Sequence, residues 1–168
     1  MLRTILCLLL FCVFVGNGHG AEKILVLGDS LSAGYGIGVD RSWPSLVDGK
    51  LRAAGGRFTV VNASISGETT AGGLARLPAL LERDKPSLLL LVLGANDGLR
   101  GLPVEQMRDN LARMVTLGKN IRARVLVIGM QLPPNYGQEY AGRFAATFKE
   151  VASRQGVPLL PFLLEPVA

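Results

Sequence analysis

Imidazoles and thiols are nearly missing from this sequence: one histidine, His19, and two cysteines, Cys7 and Cys12, occur in 168 residues. All three lie in the first twenty residues, so the rest of the chain has no sulfur pair for a disulfide and no Cys/His cluster for a metal. Aromatic residues are few, at 6%, and despite a net charge of +5 the cations Lys50, Arg52, Arg57, Arg76, Arg108 and Arg113 are scattered singly. That distribution reads as solvated surface and argues against a nucleic-acid partner. No apolar run reaches the roughly 20 residues a spanning helix needs. The run Ile5–Val15 has eleven. It follows a short positive start with Arg3 and precedes the small-residue segment 16–21, the layout of a secretory signal peptide cut after Gly20 or Ala21. Residues 1–20 are therefore read as a signal peptide and 21–168 as one domain, exported to the periplasm or beyond. The alternative for the first segment is an uncleaved anchor. Removing it lowers Lys plus Arg from 18 to 17 against 13 acidic residues, leaving +4, no imidazole and nothing to insert stably in a membrane.

What is present in quantity is apolar residue, 49% of the chain, ample for a single core. Lys23–Leu27 reads as a strand buried on both faces, and it breaks into Gly28, Asp29 and Ser30. Ser32–Asp40 carries Gly34, Gly36 and Gly38 and reads as a flexible loop. Trp43, Leu46, Val47, Leu51 and Ala54 share one helical face, closed by Gly55-Gly56. A second strand, Phe58–Val61, breaks into Asn62–Glu68. A helix is expected from about Ala71 to Glu82, bent or interrupted at Pro78. Ser87–Leu93 is the clearest buried strand and breaks into Gly94–Gly98. Pro103 suits a first helical turn, followed by the stripe Val104, Met107, Leu111, Met114 and Val115. Val125–Ile128 reads as a fourth strand, and Ala141, Phe144, Ala145, Phe148, Val151 and Ala152 as a helical face ended by Gly156. Val157–Leu160 is a short fifth strand. Strands alternating with helices predict an α/β fold, a parallel sheet with helices on both faces.

In such sheets ligands bind at the carboxyl ends of the strands. Three polar breaks fall there: Ser30, Ser66-Gly67 and Asn96-Asp97. Each also has an ordinary reading, Ser30 as a helix cap, Gly67 as a turn glycine and Asn96-Asp97-Gly98 as a tight turn. The functional reading gives them separate tasks: an attacking hydroxyl, a backbone N–H facing a developing oxyanion, and a donating amide. The spacing Gly34-x-Gly36-x-Gly38 departs from the dinucleotide fingerprint and lies too far past the strand to support nucleotide binding.

The blocks Gly28-Asp29-Ser30-Leu31, Gly67 within Asn62–Thr69, and Gly94-Ala-Asn96-Asp97 resemble the first three signatures of the SGNH, or GDSL-type, ester hydrolases. Val61–Gly67, Gly73–Leu81, Asn96–Gly101 and Leu132–Gly137 further resemble a bacterial periplasmic branch described as thioesterase I, lysophospholipase L1 or arylesterase. The resemblance covers about residues 23–165. It implies a three-layer flavodoxin-like fold with a five-stranded parallel sheet. It also implies Ser30 as nucleophile, the N–H groups of Ser30 and Gly67 and the Asn96 amide as oxyanion hole, with Asp29 and Asp97 supporting them. The substrate is a small acyl ester or thioester, held by apolar loop residues Leu99, Leu132, Pro133 and Tyr136, with ordinary loop packing as the alternative for those residues. No metal or cofactor is implied, and the oligomeric state is left open.

The family's fourth block, Asp-x-x-His after the fifth strand, has no counterpart in the chain. The expectation is a domain lacking the last helix and the base that helix region carries. Asp29 and Glu68 are poor substitutes, since carboxylates of ordinary pKa are weak bases. Loss of the helix is expected to uncover about four to six apolar side chains on one sheet face, on the order of 10 kcal/mol of lost burial. An incomplete copy of an esterase, with little turnover of its own, is the favoured account. The alternative is a non-catalytic module on the same fold that binds an acyl or glycan ligand.

Overall fold

The strand β1, Glu22–Gly28, is central because Ile24–Gly28 offers apolar or side-chain-free positions on both faces. In the computed structural model, which describes residues 22–165, β1 pairs in parallel with both β2 (Phe58–Asn62) and β3 (Leu88–Val92). Leu25 lies opposite Val61 on one side and Leu89 on the other. The strands β4 (Arg124–Ile128) and β5 (Leu159–Leu160) extend the sheet in the order β2-β1-β3-β4-β5. The chain winds one way from β1 to β2 and the other way from β3 onward. The point of reversal lies between the carboxyl ends of β1 and β3, where open α/β sheets form their crevice.

The helices α3 (Thr70–Asp84), α5 (Val104–Asn120) and α6 (Gln138–Gln155) pack side by side over one face of the sheet. They seal Leu25, Leu27, Leu89, Leu91, Leu93 and Val127 completely from solvent. The approach is close: a Cβ at Gly118 of α5 would stand 2.8 Å from Val125 Cγ2. The helix α3 continues through Pro78, so of the two expectations there, a bend or an interruption, the interruption does not occur. The helical stripe expected in α6 is rotated slightly, with Thr147 buried and Ala145 exposed. Thr147 satisfies its own hydroxyl by donating to Arg143 O at 2.8 Å, so its methyl can face the core.

The opposite face carries α2 (Trp43–Ala53), which packs on β2. There the expected stripe is only half covered: Leu46 is 55% and Val47 36% exposed, and Leu160 of β5 is 42% exposed. Among the described residues no helix follows β5. The signal-peptide reading of residues 1–20 falls outside the described residues, as do Cys7, Cys12 and His19. No helix among the described residues is long and apolar enough to cross a membrane.

Candidate active site

Strand β1 ends in a turn packed too tightly for a side chain, since a Cβ at Gly28 would meet Ser32 Oγ at 2.8 Å and Ser64 Oγ at 2.9 Å. Ser30 then opens a single helical turn, α1 (Ser30–Ala33). Asp29, not Ser30, caps it: its Oδ1 accepts the Leu31 N–H at 3.1 Å. The helix-cap reading of Ser30 is thereby corrected, because the capping position is already filled. The half-buried Ser30 hydroxyl is left without that task. The segment after it is also firmer than a flexible loop. Ser32 is fully buried, its hydroxyl accepting Trp43 Nε1–H at 3.1 Å and its carbonyl accepting Asn62 Nδ2–H at 2.7 Å.

Gly67 sits in a turn closed by Glu68 N–H donating to Ile65 O at 3.1 Å, with φ of 79°. That positive φ at the third turn residue is the type II pattern, which turns the central peptide outward and requires glycine. The loop is tied to β1 by Ile65 N–H donating to Gly28 O at 3.1 Å. It is tied to α3 by Arg76, which pairs with the Glu68 carboxylate and donates to Ala63 O at 2.9 Å. Among the described residues, the backbone N–H groups of Ser30 and Gly67 donate to no protein oxygen.

Asn96 lies in another short helix, α4 (Ala95–Leu99), in place of the tight turn considered above. Its Nδ2 donates to Glu68 O at 3.0 Å and to Asp29 Oδ2 at 3.3 Å. One amide thus bridges the residue before Ser30 and the residue after Gly67, bringing the ends of β1, β2 and β3 together. Beside it Asp97 is buried, accepting Thr70 N–H at 2.8 Å and Thr70 Oγ1–H at 2.5 Å. Asn110 completes this network by donating to Thr70 Oγ1 at 3.1 Å. Burial pushes the Asp29 carboxyl above its ordinary value and the Asp97 charge pushes the same way, opposed by the Leu31 N–H and the Asn96 amide.

On the far side of Ser30 lies an apolar cavity of about 360 Å³. Leu99, Leu132 and Pro133 line it as the sequence suggested. Tyr136 does not; its hydroxyl donates to Leu99 O at 3.2 Å and braces the loop. Residues not singled out in the sequence complete the wall: Leu31, Ala95, Met130, Phe162 and Leu164, with the polar Gln131 among them. The first two follow the Ser30 and precede the Asn96 positions directly, so adjacency to the motifs was the available signal. A larger cavity of about 520 Å³ opens at Leu88, Arg124 and Pro158, at the amino ends of the strands and away from Ser30.

A family model described as GDSL-like Lipase/Acylhydrolase matches residues 26–168. The chain belongs to that family. The relatives are named as ester and thioester hydrolases, and by this resemblance the chain is an enzyme of the SGNH, ester-hydrolase type. It is 47% identical to an arylesterase of Vibrio mimicus over 99% of its length and 83% of that protein. It is 44% identical to thioesterase 1/protease 1/lysophospholipase L1 of Escherichia coli K12, over 88% of this chain and 69% of that one. Among solved structures, the crystal structure of TesA superimposes with a TM-score of 0.85 at 47% identity, covering 87% of this chain and 81% of that one. The psychrotrophic esterase EstA from Pseudoalteromonas, in a structure inhibited by monoethylphosphonate, gives 0.84 at 40% identity, with coverage of 87% and 80%.

Proposed function

We propose that this GDSL-like hydrolase cleaves carboxylic esters and acyl thioesters through an acyl-enzyme on Ser30. The observation that carries the reading is the Asn96 amide, held between Asp29 and Glu68 beside two backbone N–H groups that no oxygen of the described residues accepts from. Ser30 Oγ attacks the acyl carbon while the carbonyl π pair moves onto oxygen. The new oxyanion accepts hydrogen bonds from Ser30 N–H, Gly67 N–H and Asn96 Nδ2. Both Asn96 hydrogens have partners at rest, and the longer bond, to Asp29, is the one that yields. The C–O or C–S bond breaks, the alkoxide or thiolate leaves and takes up a proton matching the one Ser30 loses to solvent, and a water then adds to the acyl carbon, releasing the carboxylic acid and restoring the Ser30 hydroxyl. The acyl chain occupies the cavity lined by Leu99, Leu132 and Pro133. Inhibition of the related EstA by a phosphonate supports attack by a serine oxygen.

The proton of Ser30 needs an acceptor, and there is no histidine among the described residues. A polypeptide of these residues is therefore expected to turn over slowly, keeping a residual acceleration of about 10³ to 10⁴ over water from the oxyanion donors and binding. The same lack of imidazole favours, as a second reading, a non-catalytic module that holds an acyl or glycan ligand at this rim. The two part on one experiment. Incubation with a fluorophosphonate probe and mapping of the adduct by mass spectrometry is expected to label Ser30, and Ser30→Ala to abolish both labelling and ester hydrolysis. Saturable ligand binding without any Ser30-dependent chemistry would establish the module instead.

Export rests on the composition of residues 1–20, and sequencing the amino terminus of the secreted protein tests it. A mature chain that starts near Ala21 is the expected result.

A further inference from the structure

Two side chains, one on α4 and one on the residue that caps its carboxyl end, reach the same loop. Asn96 and Arg100 stand four residues apart, which places them on one side of a helical turn. They bond consecutive carbonyls: Asn96 Nδ2 donates to Glu68 O at 3.0 Å, and Arg100 Nη2 donates to Gly67 O at 2.8 Å. Arg100 is itself fixed to the helix, its N–H bonding Asn96 O at 3.2 Å. The peptide joining Gly67 and Glu68 is thus held on both sides, its carbonyl by Arg100 and its N–H by Ile65 O at 3.1 Å. The same glycine carries the φ of 79° that sets the direction of the preceding N–H. An exposed arginine normally keeps its rotamer freedom, which ordering removes. Here it is aimed at a backbone carbonyl next to the site, and a charge-assisted bond of that kind is strong enough to offset the ordering.

We propose that Arg100 is a positioning residue for acyl transfer, which holds the Gly67 carbonyl and so keeps the Gly67 N–H directed at the oxyanion. The proposal rests on the reading of Ser30, Gly67 and Asn96 given above. Without the guanidinium the turn keeps its Glu68–Ile65 bond and the fold survives. The Ser66–Gly67 peptide, however, gains freedom to swing, and an oxyanion donor displaced by about 1 Å can cost 10²-fold in rate. Arg100 is exposed beside Gly67, and its remaining N–H groups offer an alternative role, holding an anionic leaving group. The two roles have different kinetic signatures: positioning acts on kcat for every substrate, leaving-group recognition on KM for charged ones.

The test compares Arg100→Ala and Arg100→Lys in the full chain, with Ser30→Ala and Asn96→Ala as controls. Substrates are p-nitrophenyl butyrate and butyryl-coenzyme A, with free imidazole present as external base, and the Gly67 amide is followed by ¹⁵N NMR. Arg100→Ala is expected to lower kcat about tenfold on both substrates with KM changed by less than about twofold. It is also expected to shift the Gly67 amide resonance, and Arg100→Lys, which can still donate to the carbonyl, to restore most of both. A rise in KM confined to butyryl-coenzyme A overturns the proposal in favour of leaving-group recognition. An unchanged kcat, or an unshifted Gly67 resonance, overturns it outright. If Ser30→Ala and Asn96→Ala leave hydrolysis intact, the site reading itself has failed, a result recognisable without reference to Arg100.

Discussion

The two sides of Ser30 are built from different materials. On the side of β2 and α4 the walls are polar and tied down. Asn96 bridges Asp29 and Glu68, Asp97 holds the first turn of α3 through Thr70, and Arg76 anchors Glu68. On the other side Met130, Leu132, Pro133, Phe162 and Leu164 present chain carbon. On the proposed reading one side stabilises charge and the other holds an acyl chain, and neither carries an imidazole among the described residues. Under the proposed reading, the described residues supply the electrostatic part of the site, and proton transfer can be probed separately from it.

The strongest way to break that comparison is to supply the proton acceptor from outside. With a polypeptide of these 168 residues, free imidazole is expected to raise p-nitrophenyl ester hydrolysis above the imidazole background in a saturable way. A gain of about tenfold is expected, a fraction of the 10² to 10⁴ that a positioned base supplies. Ser30→Ala should remove the gain. A rate independent of imidazole, yet dependent on Ser30, would show that a group already on the polar side serves as the base.

The next largest effect concerns the polar side alone. Asp97 accepts both Thr70 N–H and Thr70 Oγ1–H in a buried setting. Asp97→Ala strands both donors, and at about 1 to 3 kcal/mol for each buried donor left unpaired the pair costs about 2 to 6 kcal/mol. Urea unfolding should report a loss of that size. Leu132→Ala on the apolar side is expected to change stability less, because Leu132 is only partly buried where it meets the core. Equal losses at the two positions would mean that the polar side is no better held than the apolar one.

How much of this could be read from residues alone follows the same division. The strands were legible because Leu, Val and Ile runs at 24–27, 88–93 and 125–128 need burial on both faces, and parallel pairing supplies it. Ser30, Gly67 and Asn96 were legible because each interrupts a strand end with a residue type suited to one task. The ties between them were not. Asp97 to Thr70 spans 27 residues and Arg100 to Gly67 spans 33, and no local pattern encodes a partner at that distance. The errors of phase were local and have local causes. Thr147 is buried in α6 because it returns its hydroxyl to Arg143 O, and Leu46 and Val47 of α2 lie exposed because α2 covers only the β2 side of its face. Tyr136, assigned to the acyl groove from the place of its loop in the resemblance, donates its hydroxyl to the Leu99 carbonyl.

The smallest expected effect sharpens the comparison from beneath the oxyanion donors. Burial raises the Asp29 pKa above 3.8, with the Asp97 charge assisting, so the folded protein holds this proton more tightly than the unfolded chain does. As pH rises past 3.8 the unfolded chain ionises first, and the fold loses stability until the folded-state pKa is passed. Asp29→Asn removes the titration while keeping an oxygen for the Leu31 N–H. The stability of the native protein minus that of Asp29→Asn, measured by urea unfolding from acid to neutral pH, should therefore fall as pH rises. A difference that rises with pH would mean that the Leu31 N–H and Asn96 amide outweigh burial and hold the carboxylate in its charged form. In that case Asp29 would compete with the oxyanion for Asn96 at full strength, and the release of that amide would become part of the barrier to acyl transfer.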